Sequence, residues 1–237
     1  VRVRRIVTTR AGGASRPPYD SFNLGDHVGD DAGDVYANRA RLAKELGLAE
    51  DRLCWMEQVH GRTVTVVDGT ETKAAEATDA LVTAQPGVAL VVMVADCVPV
   101  LLADPAAGVA AAVHAGRIGA RIGVLPAALE AMRDLGADPA RTEALLGPAI
   151  CGECYEVPAE MAADVEEHLP GSTARTRSGT TGLDLRAGLW RQLAALGVGH
   201  IGADPRCTAE DKTLFSYRRD GTTGRLAGIT WLEADTA

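Results

Sequence analysis

Cys97 and His114 each close a run of small or β-branched apolar residues. Val88 to Ala95 stops at Asp96-Cys97, and Gly108 to Val113 stops at His114-Ala115-Gly116. Runs of this kind, too short to span a membrane, read as strands buried on both faces. A thiol and an imidazole therefore stand at strand ends, where sheet enzymes commonly place their reactive groups. A second imidazole, His60, lies just before another expected strand, Thr63 to Val67. One thiolate with two neutral imidazoles suits Zn²⁺, which takes sulfur and nitrogen ligands tetrahedrally. Three protein ligands leave a fourth position open to a water or a substrate oxygen, whereas a structural site is normally closed by a fourth side chain. The gaps of 36 residues between His60 and Cys97 and 16 between Cys97 and His114 are not those of a local metal motif. A buried cysteine at a strand end is also commonly a small core residue, so both readings stand at this point.

Other residues of chemical interest are fewer. Cys151-Gly152-Glu153-Cys154 is a CxxC pair, either half of a zinc knuckle or a redox pair, yet no second CxxC and no thioredoxin-like context accompany it, and it reads as structural. Val35, Arg39, Leu42 and Leu46 share one face of an expected helix, which puts a guanidinium in an apolar row. Arg39 either snorkels to a carboxylate at the core's rim or faces inward to meet an anion, for which a planar fork of donors is suited. The turn Thr8 to Ser15 contains Gly12-Gly13, whose amides are able to approach an anion, although such turns are usually only turns.

The elements that must position these groups follow from pattern and punctuation. Val1 to Val7 alternates like a strand. Asp34 to Leu46 reads as a helix with aspartates near its start and Gly47 past its end. Further helices are expected over Leu125 to Leu135, Pro158 to Leu169 and Asp184 to Leu196, and a last strand over Leu226 to Leu232. Lys73 to Ala80 is polar and reads as a surface connection. With 46% hydrophobic and 24% charged residues the chain has the composition of a globular protein, and 237 residues suffice for one large domain. A formal net charge of −8 argues against general nucleic-acid binding, which needs a basic surface to neutralise phosphates. No segment reaches the apolar length of a membrane span or has the core of a signal peptide, and five scattered cysteines do not suggest a disulfide framework. The expectation is a cytoplasmic protein with reduced thiols.

The ordered set Gln58-Val59-His60-Gly61, Ala95 to Val100, Val113 to Gly116 and Phe215-Ser216-Tyr217-Arg218-Arg219 resembles the laccase-domain family. Its members have been called polyphenol oxidases, purine nucleoside phosphorylases or peptidoglycan editing factors. Thr9 to Ser15, Asn23-Leu24-Gly25, His27 to Asp30, Asn38-Arg39, Gly147-Pro148 and Cys154 to Val157 also match, so the resemblance covers nearly the whole chain, 1–237, as one domain. It implies a mixed α/β (α+β) architecture with a β-sheet sandwich flanked by helices. It further implies zinc on His60, Cys97 and His114, with copper as an alternative metal.

The activity implied is phosphate-dependent cleavage of adenosine, inosine, guanosine or methylthioadenosine to a sugar 1-phosphate and free base, with some adenosine deamination. Phosphorolysis joins an anionic nucleophile to a ribose that develops positive charge, so cations must be in place beforehand. Arg39 and the Arg218-Arg219 pair are candidates, and Asn23 is a candidate for the ribose or base. For deamination Asp96 is the carboxylate nearest in sequence to the expected ligands, as an acid or merely as a brace. One departure stands out: members often carry Trp-Arg after His-Ala-Gly, and here Arg117-Ile118 follows, so that Arg117 or Arg121 must supply the charge. The competing readings are a metal-free Cys97-His114 hydrolase, copper-dependent polyphenol oxidation, and a non-catalytic editing factor. The first has no use for His60. The second needs a further imidazole cluster, for which only His27, His168 and His200 remain.

Overall fold

The computed structural model describes residues 2–233, so Val1 of the expected first strand and the last four residues lie outside the described residues. The apolar run that dominates the sequence folds as two strands, β5 (Ala89–Val94) and β6 (Val98–Asp104), on either side of Asp96-Cys97. They belong to different sheets. A four-stranded sheet has the order β1 (Val3–Val7), β12 (Leu226–Leu232), β5, β2 (Leu53–Cys54). A six-stranded sheet has the order β11 (His200–Ala203), β8 (Glu143–Leu146), β6, β7 (Val109–Ala115), β4 (Ala80–Thr83), β3 (Val64–Val66). Both sheets are mixed: β12 is antiparallel to β1 and β5 while β2 is parallel to β5, and β6 is antiparallel to β7 and β8 while β3 runs parallel to β4. A short hairpin, β9 (Thr173–Arg175) with β10 (Thr181–Leu183), stands apart.

Strand periodicity explains the layers. Successive side chains of a strand point to opposite faces, and here both faces are buried. From β5, Leu90, Val92 and Val94 enter the core between the sheets with Leu81, Leu101, Ala112 and Phe215, while Ala89 and Val91 pack outward with Leu42, Ala43, Ile229 and Trp231. From β6 and β7, Val100, Leu102, Ala111 and Val113 face a third cluster containing Leu125, Leu129, Val165 and Leu189. The result is two sheets packed face to face, with α1 (Ala32–Leu46) on one outer face and α3 (Val124–Asp134), α4 (Ala159–His168) and α5 (Leu185–Ala195) on the other. This is the mixed α/β sandwich between helices that the resemblance implies. Leu90 and Leu101 are fully buried, and truncating either to alanine would cost roughly 2–5 kcal/mol.

Helix ends agree with their punctuation to within a residue or two. Asp31 caps α1 by accepting from the Gly33 and Asp34 amides, which starts the helix two residues before Asp34, and Gly47 closes it at φ 69°. Asp184 caps α5 through the Ala187 amide. The expected surface connection Lys73 to Ala80 is corrected in its second half. Thr78, Asp79 and Ala80 are fully buried, and Ala80 begins β4. A carboxylate is tolerated there because it finds partners, and those partners belong to the site.

Candidate metal centre and its cavity

Cys97 lies where the chain crosses from one sheet to the other, and His114 lies in β7 opposite Pro99 of β6. Asp96 adopts φ 93°, a region non-glycine residues seldom visit, and this turn directs the next side chain. His60 also has a positive φ, 59°. The two imidazoles meet edge to face with centroids 4.7 Å apart, and Cys97 Sγ is 3.8 Å from His60 Nε2. One donor atom from each of His60, Cys97 and His114 falls within 4.8 Å of the others, so the structure brings the three expected ligands together. Gly116 makes the approach possible. A Cβ there would stand 2.7 Å from His60 Cδ2 and 3.1 Å from Cys97 Sγ.

The arrangement is organised by Asp79, which the sequence reading missed. Its carboxylate accepts from His114 Nδ1 (2.8 Å) and from the backbone amides of His60 (2.9 Å), Gly61 (2.7 Å) and Val59 (3.2 Å). One buried carboxylate thus fixes the tautomer of one imidazole and the backbone that carries the other. With Nδ1 committed, Nε2 of His114 is the nitrogen left for a ligand, the carboxylate-histidine pairing typical of metal sites. Burial would raise the Asp79 carboxyl, but the His114 hydrogen bond and charge and the backbone amides hold it below the usual range. Burial would likewise raise the Cys97 thiol. Here the facing charge of His114 and hydrogen bonds from both imidazoles outweigh burial and lower it to about 6, the thiolate form that binds a cation. His114 is raised despite its burial because it faces that thiolate and Asp79. The donor set fits a borderline-soft divalent ion with an open coordination position.

The triad borders a cavity of about 400 Å³ whose wall includes Arg117, Arg218, Arg225, Tyr155 and Tyr217. Of the expected substrate residues, Arg218 is on this wall. Its guanidinium lies 5.0 Å from the Tyr155 ring centroid and donates to the Glu156 carbonyl. Arg39 is not on it. It stacks on Trp55 at 4.0 Å, donates twice to the Leu24 carbonyl and pairs with Asp26, beside a neighbouring cavity that shares His27, Gln58 and Met93 with the first. Asn23 is fully buried away from the cavity, with its amide engaged by Gly25, Asp30 and the Arg225 backbone.

Asp96 lines the cavity and braces its wall: one oxygen accepts from Thr208 Oγ1 and the other from the Arg218 amide, each at 2.6 Å. Arg219 turns to the carbonyls of Thr208, Asp211 and Leu214. In the Gly12-Gly13 turn the Gly13 amide donates to Ser21 Oγ and the Ala14 amide to Asn38 Oδ1. Of the two arginines that follow His-Ala-Gly, Arg117 lines the cavity. Arg121 is tied to Asp164, and Ile118 is exposed. Arg225, like Asp79, was missed, and no spacing in the sequence marks it.

The mixed α/β sandwich thus carries a Cys-His-His group with the donors to hold a metal ion, beside a cavity lined by three arginines. Residues 4–233 match the model of the family described as multi-copper polyphenol oxidoreductase laccase, and the chain belongs to that family. It is 62% identical over 232 residues to a purine nucleoside phosphorylase of Corynebacterium glutamicum, covering 97% of this chain and 94% of that protein. It is 60% identical over 233 residues to a purine nucleoside phosphorylase of Mycobacterium tuberculosis, covering 98% and 93%. Among solved structures it is similar to YlmD from Geobacillus stearothermophilus, with TM-score 0.91 and 35% identity over 98% of this chain and 92% of that one. Among the described residues the other group of metal-type ligands is thiol-based, Cys151, Cys154, Cys207 and Glu210, not the imidazole cluster a multicopper oxidase requires. No described helix is long and apolar enough to cross a membrane.

Proposed function

We propose that this chain is a purine nucleoside phosphorylase acting in the cytoplasm as one domain, 1–237, on adenosine, inosine, guanosine or methylthioadenosine. The observation that carries the proposal is the open triad of His60, Cys97 and His114 on the wall of a cavity that also carries three arginines. The names of the similar proteins support the same reaction. His60, Cys97 and His114 would hold zinc, with copper as an alternative, and a bound ion would supply positive charge that polarises an oxygen of phosphate or ribose.

The chain's own residues account for the rest. A phosphate oxygen forms a bond to the ribose anomeric carbon while the bond from that carbon to the purine nitrogen breaks. The base leaves with the electron pair and takes up a proton. Arg117, Arg218 and Arg225 place positive charge around the cavity before the nucleophile arrives, so no reorganisation is needed at the moment of reaction. Tyr155 offers an aromatic face and a neutral hydroxyl to the base. Arg39 and Asn23 act more remotely, holding the loop through Leu24 and Gly25 that lies under the Arg225 backbone. Adenosine deamination is a secondary proposal for the same cavity. Asp96, which lines it, is the carboxylate for the leaving ammonia, with one bond on each oxygen from Thr208 and the Arg218 amide to hold it in place.

The test is hypoxanthine release from inosine by the metal-loaded protein, with and without phosphate, beside Cys97→Ser. Release that needs both phosphate and Cys97 is expected. Release without phosphate, or from Cys97→Ser at the full rate, would refute phosphorolysis at this centre. Retained activity in His60→Ala would favour the metal-free Cys-His reading.

A further inference from the structure

We propose that Cys151, Cys154 and Cys207, completed by Glu210, form a second, structural zinc centre that clips together two segments of the cavity wall. One donor atom from each of the four lies within 4.8 Å of the others. Two come from a tight turn in which the Cys154 and Tyr155 amides both donate to the Cys151 carbonyl at 3.0 Å. The third arrives on a separate segment, held by a parallel bridge between Ala149 and Cys207 and by the Thr208 amide on the Ala149 carbonyl. The Cys151 amide donates to Cys207 Sγ at 3.3 Å, which ties the two segments at the sulfur itself. Glu210 follows on the turn closed by its own amide to the Cys207 carbonyl.

Three thiolates and one carboxylate make a soft, four-coordinate and therefore closed set, which is the pattern of structural rather than catalytic zinc. Arg177 pairs with both Glu210 and Glu153, which fixes the carboxylate and offsets the negative charge that three thiolates and a carboxylate leave around a dication. Loading forms three metal–sulfur bonds and one metal–oxygen bond and releases the thiol protons to solvent. A redox role fits less well, since a CxxC exchange uses two thiols, and here a third thiol and a carboxylate converge on the same point. The clip joins the segment that gives Ile150 and Tyr155 to the cavity with the one that gives Tyr217 and Arg218. It is independent of the chemistry proposed for His60, Cys97 and His114.

The test is metal content and thiol protection of the full chain prepared under reducing, zinc-replete conditions. The expected result is about two zinc equivalents per chain, falling to about one in either Cys154→Ser or Cys97→Ser and to none in the double variant. In the unsubstituted protein, alkylation followed by mass spectrometry should find Cys151, Cys154 and Cys207 protected until a chelator is added, a readout that does not depend on a variant folding. A content of about one equivalent that Cys97→Ser abolishes would overturn the proposal, as would a disulfide among the three or their alkylation without chelator. None of these readouts uses nucleoside turnover, so failure of the phosphorylase reading would leave them unchanged.

Discussion

Replacing Asp79 by asparagine tests the logic of the centre, because it keeps the size of the side chain and removes one acceptor. The carboxylate accepts four hydrogen bonds, two on each oxygen: His114 Nδ1 and the His60 amide on Oδ1, the Gly61 and Val59 amides on Oδ2. In either orientation the asparagine amide nitrogen faces two N–H groups and loses both bonds. Bonds to a charged group contribute about 1.5–3 kcal/mol each, and unpaired buried donors add to the loss. Allowing for relaxation, destabilisation of roughly 2–5 kcal/mol follows. Because His114 loses its tautomer lock or His60 loses its backbone anchor, affinity for a divalent ion should fall about 10–100-fold. Urea unfolding measures the first quantity, and zinc competition against a chromophoric chelator the second. An Asp79→Asn protein whose zinc affinity stays within about threefold of the parent would refute the idea that this carboxylate organises the ligands.

Gly116→Ala should lower zinc affinity at least about 10-fold, since its Cβ would stand 2.7 Å from the His60 ring; a crystal structure with both ligand side chains unmoved would contradict this. Arg117→Ala should raise KM for phosphate or nucleoside about 10-fold, while Arg121→Ala, whose guanidinium is spent on Asp164, should stay within about twofold. A larger loss in Arg121→Ala would reverse their roles. Asp104 is fully buried, pairs with Arg141 and accepts from the Ala106, Ala107 and Asp138 amides, and these partners hold its carboxyl below the usual value against the cost of burial. A depressed carboxyl contributes stability above its unfolded pKa, near 3.9, that is lost as pH falls through the lower folded value. Asp104→Asn should therefore cost about 1–3 kcal/mol at neutral pH, with a gap from the parent that narrows only below about pH 4. Thermal melts from pH 7 to 3 check this, and a constant gap across that range would disprove the assignment.

His60, Cys97 and His114 were legible as a candidate set chiefly through the resemblance, since their spacing is not that of a local metal motif and a cysteine at a strand end is commonly a core residue, whereas capped helices such as α1 and α5 were readable because Asp31, Gly47 and Asp184 punctuate them. What escaped depends on distance along the chain. Asp96-Cys97 marks the end of one apolar run, but nothing local tells that the next strand joins a different sheet, since both strands are buried on both faces and read alike. Asp79 looked like part of a polar connection because its partners, His114 and the amides of Val59, His60 and Gly61, come from elsewhere in the chain. Cys207 and Glu210 join the CxxC turn across more than fifty residues, beyond any spacing rule. Arg39 shows the same limit: its place in an apolar row was legible, but not that it would stack on Trp55, donate to the Leu24 carbonyl and pair with Asp26 on the wall of a neighbouring cavity.

Because the chain changes sheets at Asp96-Cys97, the thiol is carried by the joint of the sandwich, whereas His114 rides on the six-stranded sheet alone. A small slide of one sheet past the other would move sulfur relative to nitrogen while leaving every strand intact. If His60, Cys97 and His114 hold a metal as proposed, the triangle is a strain gauge for the whole molecule: substitutions deep in the packing between Leu90 and Leu101 should register first as a change in the colour of the cobalt-loaded protein, before unfolding is detectable.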